Sequence, residues 1–114
     1  MELGSRDIGD TRIVRVDESR IDAAVAIQFK DQMRALIDDG PDRVVLDLSG
    51  VSFVDSSGLG AIVAAMKQAG KPQRLELAGL TRSVAKVFAL TRMDRVFTIH
   101  ESVDVILAGP ANAD

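Results

Sequence analysis

The run Val44-Val45-Leu46-Asp47-Leu48 constrains this chain more than any other segment. It is short, β-branched and almost wholly apolar, so it has no polar side to present to water. Such a strand is stable only where both faces of its sheet are covered. It belongs in the middle of a core, and the flanking sequence supplies the covering helices in alternation with further strands. The expected class is α/β: a mixed, partly parallel β-sheet of four to five strands with about four helices.

The remaining elements follow from periodicity and punctuation. Gly9-Asp10 offers turn chemistry between a strand over Glu2 to Ile8 and another over Thr11 to Val16, with Val14 and Val16 sharing its core face. Asp22 is the expected N-cap of a helix running to about Asp38, with Val25, Phe29, Met33, Leu36 and Ile37 on one stripe, and Gly40-Pro41 stops it. Leu59, Ile62, Val63 and Met66 recur at helical spacing and define a second helix ending at Gly70. Leu75 and Leu77 mark a strand, and Thr81 caps a third helix carrying Val84, Val87 and Phe88. Val96 to Ile99 reads as the last strand, before a short helix with Val103, Ile106 and Leu107.

A chain of 114 residues without an internal repeat or a polar linker is expected to be one domain, here residues 1–108 followed by a short tail, 109–114. Roughly two thirds of the unfolded surface should be buried at this length, enough for an ordinary core. There is no cysteine, so neither a disulfide framework nor a thiolate metal site is possible, and with no export signal the expected location is the cytoplasm. The longest apolar stretches, such as Leu59 to Met66, are far below the roughly 20 residues that cross a bilayer, so no membrane insertion is expected. Lys and Arg number 14 against 17 Asp and Glu, a net charge of −3, and the cations are scattered along the sequence. With only four Phe and no Tyr or Trp, this argues against direct nucleic-acid binding, which demands a concentrated cationic face or stacking platforms.

Chemistry concentrates in Asp55-Ser56-Ser57-Gly58-Leu59-Gly60, where the connection after the central strand enters the second helix. The first N–H groups of a helix lack partners and the macrodipole places partial positive charge there, so a serine or a phosphate is well accommodated. Gly58 and Gly60 leave the hydroxyls without bulky neighbours, so a kinase or partner surface can reach them. The same residues also suit a purely architectural use. Asp55, Ser56 or Ser57 can cap the helix, worth about 1 kcal/mol, and the glycines can permit close packing.

Enzyme signatures are missing. Gly58-Leu59-Gly60 has no third glycine of a dinucleotide fingerprint, and neither a Walker A lysine nor a G-x-S-x-G elbow is present. His100 is the sole histidine, without a flanking triad motif or a second zinc ligand, and reads as a surface or capping residue. Asp38 and Asp39 read as solvated carboxylates at a helix end. No cofactor is expected.

The central strand followed by Val51-Ser52-Phe53-Val54-Asp55-Ser56-Ser57-Gly58-Leu59-Gly60 resembles the signature of STAS-domain anti-sigma-factor antagonists. The resemblance continues through Ser83-Val84, Lys86 and Phe88, then Asp94, Val96 and Phe97, and spans about residues 11 to 108. It implies a standalone STAS domain that is not an enzyme. The serine directly after the aspartate, here Ser56, would be phosphorylated by a partner that is both serine kinase and anti-sigma factor, with ATP bound by that partner. The unmodified form would bind the kinase and free its sigma factor, and a serine phosphatase would restore it after phosphorylation. The implied partner-binding residues are Ile21, Asp22, Asp55, Ser56, Ser57, Gly58, Leu59 and Gly60.

Phosphorylation adds roughly −1.5 to −2 charges at one point, which a helix start tolerates in the free protein and a packed partner surface does not. One departure concerns partner choice. The family often carries Gly-Glu-Leu-Asp after the second strand, and the matching run here is Ser19-Arg20-Ile21-Asp22, so Arg20 reverses a charge. Other STAS domains serve as subunits of membrane lipid-transport assemblies or as regulatory domains of transporters; the intact Asp-Ser-Ser-Gly pattern favours the switch over that alternative.

Overall fold

The computed structural model describes residues 1–109. Its spine is β4 (Arg43–Asp47), with β2 (Thr11–Val16) and β6 (Arg74–Ala78) parallel to it on either side. β1 (Leu3–Ile8) pairs antiparallel with β2, and β7 (Ile99–His100) pairs parallel with β6. The five-stranded order is β1-β2-β4-β6-β7, the mixed sheet expected from the sequence. Two further short strands, β3 (Arg20–Ile21) and β5 (Phe53–Val54), form a separate parallel ladder.

The central strand is covered on both faces, as its composition demands. Val44, Leu46 and Leu48 join Val14, Val16, Leu75 and Leu77 beneath the helices, whereas Val45 turns to the opposite face with Ile13, Ala78 and Val103. α1 (Ala26–Asp38), α2 (Ser56–Gln68) and α3 (Arg82–Leu90) cover the first face through Phe29, Met33, Ile37, Ile62, Val84 and Phe88. The short α4 (Val103–Leu107) covers the second. The hairpin turn places Gly9 at φ 59°, a left-handed conformation that glycine adopts without a Cβ penalty. Arg12 then ties hairpin to helix, donating to Asp7 at 2.8 Å, to Asp39 at 2.6 Å and to the Leu36 carbonyl at 2.9 Å. Asp39 is therefore engaged rather than simply solvated.

Three elements differ from the sequence reading. Asp22 does not cap α1. Its Oδ1 accepts from the Ala24 N–H at 3.1 Å and its carbonyl from the Val25 N–H at 3.1 Å, making a separate turn; the helix proper starts at Ala26, behind an N-cap, Val25, that has no side-chain acceptor. In α2 the deepest face is Gly58, Ala61, Ile62 and Ala65, with Leu59, Val63 and Met66 half-buried on its flank. At Gly58 the helix runs too close to Ile21 of β3 for any side chain. The apolar run at Val96 is not a strand: a 3₁₀ turn over Met93–Arg95 precedes it, and Phe97 plugs the core edge-on to Phe88 at 5.9 Å, leaving a last strand of Ile99–His100 alone. Thr81 caps α3 as expected, its hydroxyl accepting from Val84 N–H. Most of the expected tail, 110–114, lies outside the described residues.

Candidate functional site

The β3–β5 ladder builds the floor on which α2 begins. Arg20 registers with Phe53 and Ile21 with Val54, and the Asp55 N–H extends the ladder to the Ile21 carbonyl at 3.3 Å. The chain then turns into the helix at Asp55, whose extended backbone (φ −95°, ψ −175°) is that of an N-cap. Its Oδ1 accepts from the Gly58 N–H at 2.8 Å and its Oδ2 from the Ala23 N–H at 3.1 Å. Of the three candidate caps, Asp55 is the one used. The Ser56 and Ser57 side chains are consequently released: both are exposed, and neither hydroxyl is bonded to another described residue.

Gly58 and Gly60 have different reasons to be glycine. A Cβ on Gly58 would overlap the carbonyl oxygen of Ile21, whereas one on Gly60 would meet nothing within 4 Å. Close packing explains the first. Free space above the helix surrounds the second.

All the residues expected at the site come together around the start of α2, but not all can touch a partner. Ile21 and Gly58 are buried and act from beneath, by fixing the height at which α2 sits. Leu59 is half-buried on the flank, Asp22 and Asp55 are partly exposed, and Ser56, Ser57 and Gly60 face outward. The packing of the Ile21 side chain against the helix removes it from solvent.

Two features were not legible as contacts. The Arg20 guanidinium lies 4.2 Å from the centre of the Phe53 ring, a cation–π arrangement, while its Nε pairs with Asp22 at 3.3 Å. Both residues stood in the motif region, but only the β3–β5 register puts one over the other. On the far face of the sheet, Glu76 is buried and accepts from His100 Nε2 at 2.8 Å and Arg43 Nε at 2.9 Å. The same His100 Nε2 also lies 3.4 Å from Arg43 Nη2, so the three side chains form one cluster. The sequence signal was a lone acid between Leu75 and Leu77. This cluster is structural, and among the described residues no group of three or more His, Asp or Glu is placed to hold a metal.

Comparison with known proteins agrees with this architecture. The family model for the STAS domain matches residues 5–106. BtrV of Bordetella bronchiseptica, named as a candidate anti-sigma factor antagonist, is 28% identical over 100 residues, covering 87% of this chain and 86% of BtrV. The anti-sigma-B factor antagonist of Staphylococcus aureus is 22% identical over 86 residues, 75% of this chain and 80% of its own. The crystal structure of an anti-sigma factor antagonist from Mycobacterium paratuberculosis has the same fold, with a TM-score of 0.84 at 24% identity, over 97% of this chain and 94% of that one. With the family model matching nearly from end to end of the described residues, the chain belongs to the STAS-domain family.

Proposed function

We propose that this protein is a phosphorylation-controlled anti-sigma-factor antagonist. In its unmodified form it binds an anti-sigma-factor serine kinase and releases the sigma factor or other output that the kinase restrains. Phosphorylation on Ser56 switches that binding off, and a serine phosphatase resets it. The domain, residues 1–108, is itself no enzyme: the kinase partner brings the ATP, and the encounter takes place in the cytoplasm. The names of its relatives support the general role.

The observation that carries the reading is the division of labour at the start of α2. Asp55 supplies the whole cap, so the Ser56 hydroxyl stands exposed and unbonded on a helix N-terminus. A residue needed for capping could not be modified without loosening the helix, whereas this one can. Its partial positive surroundings favour a phosphate in the free protein. In the complex the same dianion would have to be desolvated against a surface shaped for a hydroxyl.

The test is to incubate the purified chain and ATP with each anti-sigma-factor serine kinase of its source organism and to map the product by mass. One phosphate on Ser56 is expected. Transfer to Ser57 refutes the residue assignment, and capture of transporter or lipid-transport subunits in place of any kinase would establish the alternative STAS role.

A further inference from the structure

Three of the cations, Lys30, Arg34 and Lys67, line one groove. α1 and α2 lie side by side in the same direction: Ala23, ahead of α1, donates to Asp55 at the start of α2. At the other end, Gln68 donates to the Arg34 carbonyl at 3.2 Å and to Asp38 Oδ1 at 2.8 Å. Between the helices runs an open groove of about 430 Å³, lined by Lys30 and Arg34 from α1 and by Ala64, Ala65, Lys67 and Gln68 from α2. Among the described residues, no carboxylate lies within ion-pair reach of Lys30, Arg34 or Lys67. Asp38, at the lower lip, accepts from Gln68 and keeps its charge, but it does not line the groove. On a chain of net charge −3 this is a local reversal of sign.

The groove is continuous with the Ser56 site. On α2, Ser56, Gly60, Ala64 and Lys67 recur at helical spacing and are all exposed; on α1, Ile27, Lys30 and Arg34 do the same, with Ile27 69% exposed. From Ser56 to Lys67 the helix rises about 16 Å. The surface thus passes from a small, apolar end beside Ser56 to a cationic end one helix length away.

We infer that the α1/α2 groove is the docking surface for an acidic segment of the same kinase that modifies Ser56, held by Lys30, Arg34 and Lys67 while the kinase works at the head of the helix. This rests on the phosphorylation switch proposed above. Unpaired surface cations contribute little to the free fold, but they steer and hold a partner of opposite charge. Lys67, about 16 Å along the helix from Ser56, lies beyond the screening length of roughly 8 Å at physiological salt, so a phosphate there does not neutralise it. The groove therefore supplies a holding contact separate from the contact that phosphorylation breaks. A concave channel between helices also suits a side-chain-bearing segment better than a flat lipid surface.

The decisive experiment titrates wild type and the triple variant Lys30→Glu/Arg34→Glu/Lys67→Glu, by calorimetry and over a salt series, against the source organism's kinase that phosphorylates wild type on Ser56. Both proteins are also tested for binding to phosphatidylglycerol vesicles. The expected result is an unchanged melting temperature and at least about tenfold weaker kinase binding at low salt, with the gap closing as salt rises. Should the triple Glu variant misfold, the Gln substitutions at the same positions give the same reading. Kinase binding within about twofold of wild type at every salt concentration overturns the groove assignment and leaves the Ser56 switch standing. Vesicle binding that the variant loses overturns it in favour of a lipid surface. Failure of every such kinase to modify Ser56 overturns the switch, and this occupant with it.

Discussion

Gly58 lies so close to Ile21 that a methyl group on its Cα would overlap the Ile21 carbonyl oxygen. That oxygen is itself fixed by the Asp55 N–H, so neither partner can yield by rotating a side chain. Gly58→Ala is therefore expected to lose more than about 2 kcal/mol or to fail to fold, measured by urea denaturation followed by circular dichroism. Gly60→Ala, in open space, is expected to gain roughly 0.5–1 kcal/mol from helix propensity. Equal losses at the two positions would contradict the packing account.

Asp55 is expected to matter for stability and its neighbours not. Asp55→Ala abandons the N–H groups of Gly58 and Ala23 together and should cost about 0.5–2 kcal/mol. Ser57→Ala removes a hydroxyl with no described partner and should stay within about 0.5 kcal/mol of wild type. Thermal melts of the two variants give the comparison directly.

At Ser56 stability and binding should separate. Ser56→Ala is expected to keep both the fold and the affinity for the kinase, and to be refractory to phosphorylation. Ser56→Asp should melt near wild type, since its carboxylate meets a favourable helix N-terminus, yet bind the kinase at least tenfold to about a hundredfold more weakly. Phosphorylated protein, with the larger charge, should bind more weakly still. Calorimetric titrations in which all three bind alike would remove the electrostatic basis of the switch.

Glu76 predicts a pH dependence on the acid side. Burial acts to raise its carboxyl, but the hydrogen bonds from His100 and Arg43 outweigh that and hold it below its ordinary value of 4.5. The folded state thus binds this proton more weakly than the unfolded chain does. Its contribution to stability is complete above the ordinary value and is lost as the pH falls through it toward the folded one. Urea midpoints of wild type should drop on acidification through this window, whereas Glu76→Gln should be less stable at neutral pH and show a flatter acid limb. Parallel curves for the two proteins would exclude Glu76 as the source.

Where the sequence was readable, a residue's own chemistry decided its place. Val44 to Leu48 has only apolar side chains to offer apart from Asp47, and so had to be central; Thr81 had both the type and the position of a cap. Where the reading slipped, a partner distant in sequence decided. Asp22 has the chemistry of a helix cap, but its bonds to Ala24 and Val25 close a separate turn, which Asp55 holds through the Ala23 N–H, and the helix starts only at Ala26. Leu59, Val63 and Met66 have the right spacing for a core stripe, but Gly58, Ala61, Ile62 and Ala65 take the deepest face, with Gly58 against the Ile21 carbonyl. The stack of Arg20 on Phe53 depends on strand register, which no local pattern encodes.

The bond from Ala23 to Asp55 joins chain positions 32 residues apart, and Gly58 meets Ile21 across a similar span. The setting of Ser56 consequently does not exist in a peptide of the same local sequence, nor in a chain still being made. A kinase that reads this shape receives no signal from nascent, misfolded or heat-damaged copies, and such copies cannot titrate it. Under the proposed switch, what the partner would count is the number of finished molecules rather than the number synthesised, and the switch would carry its own check on the integrity of the messenger.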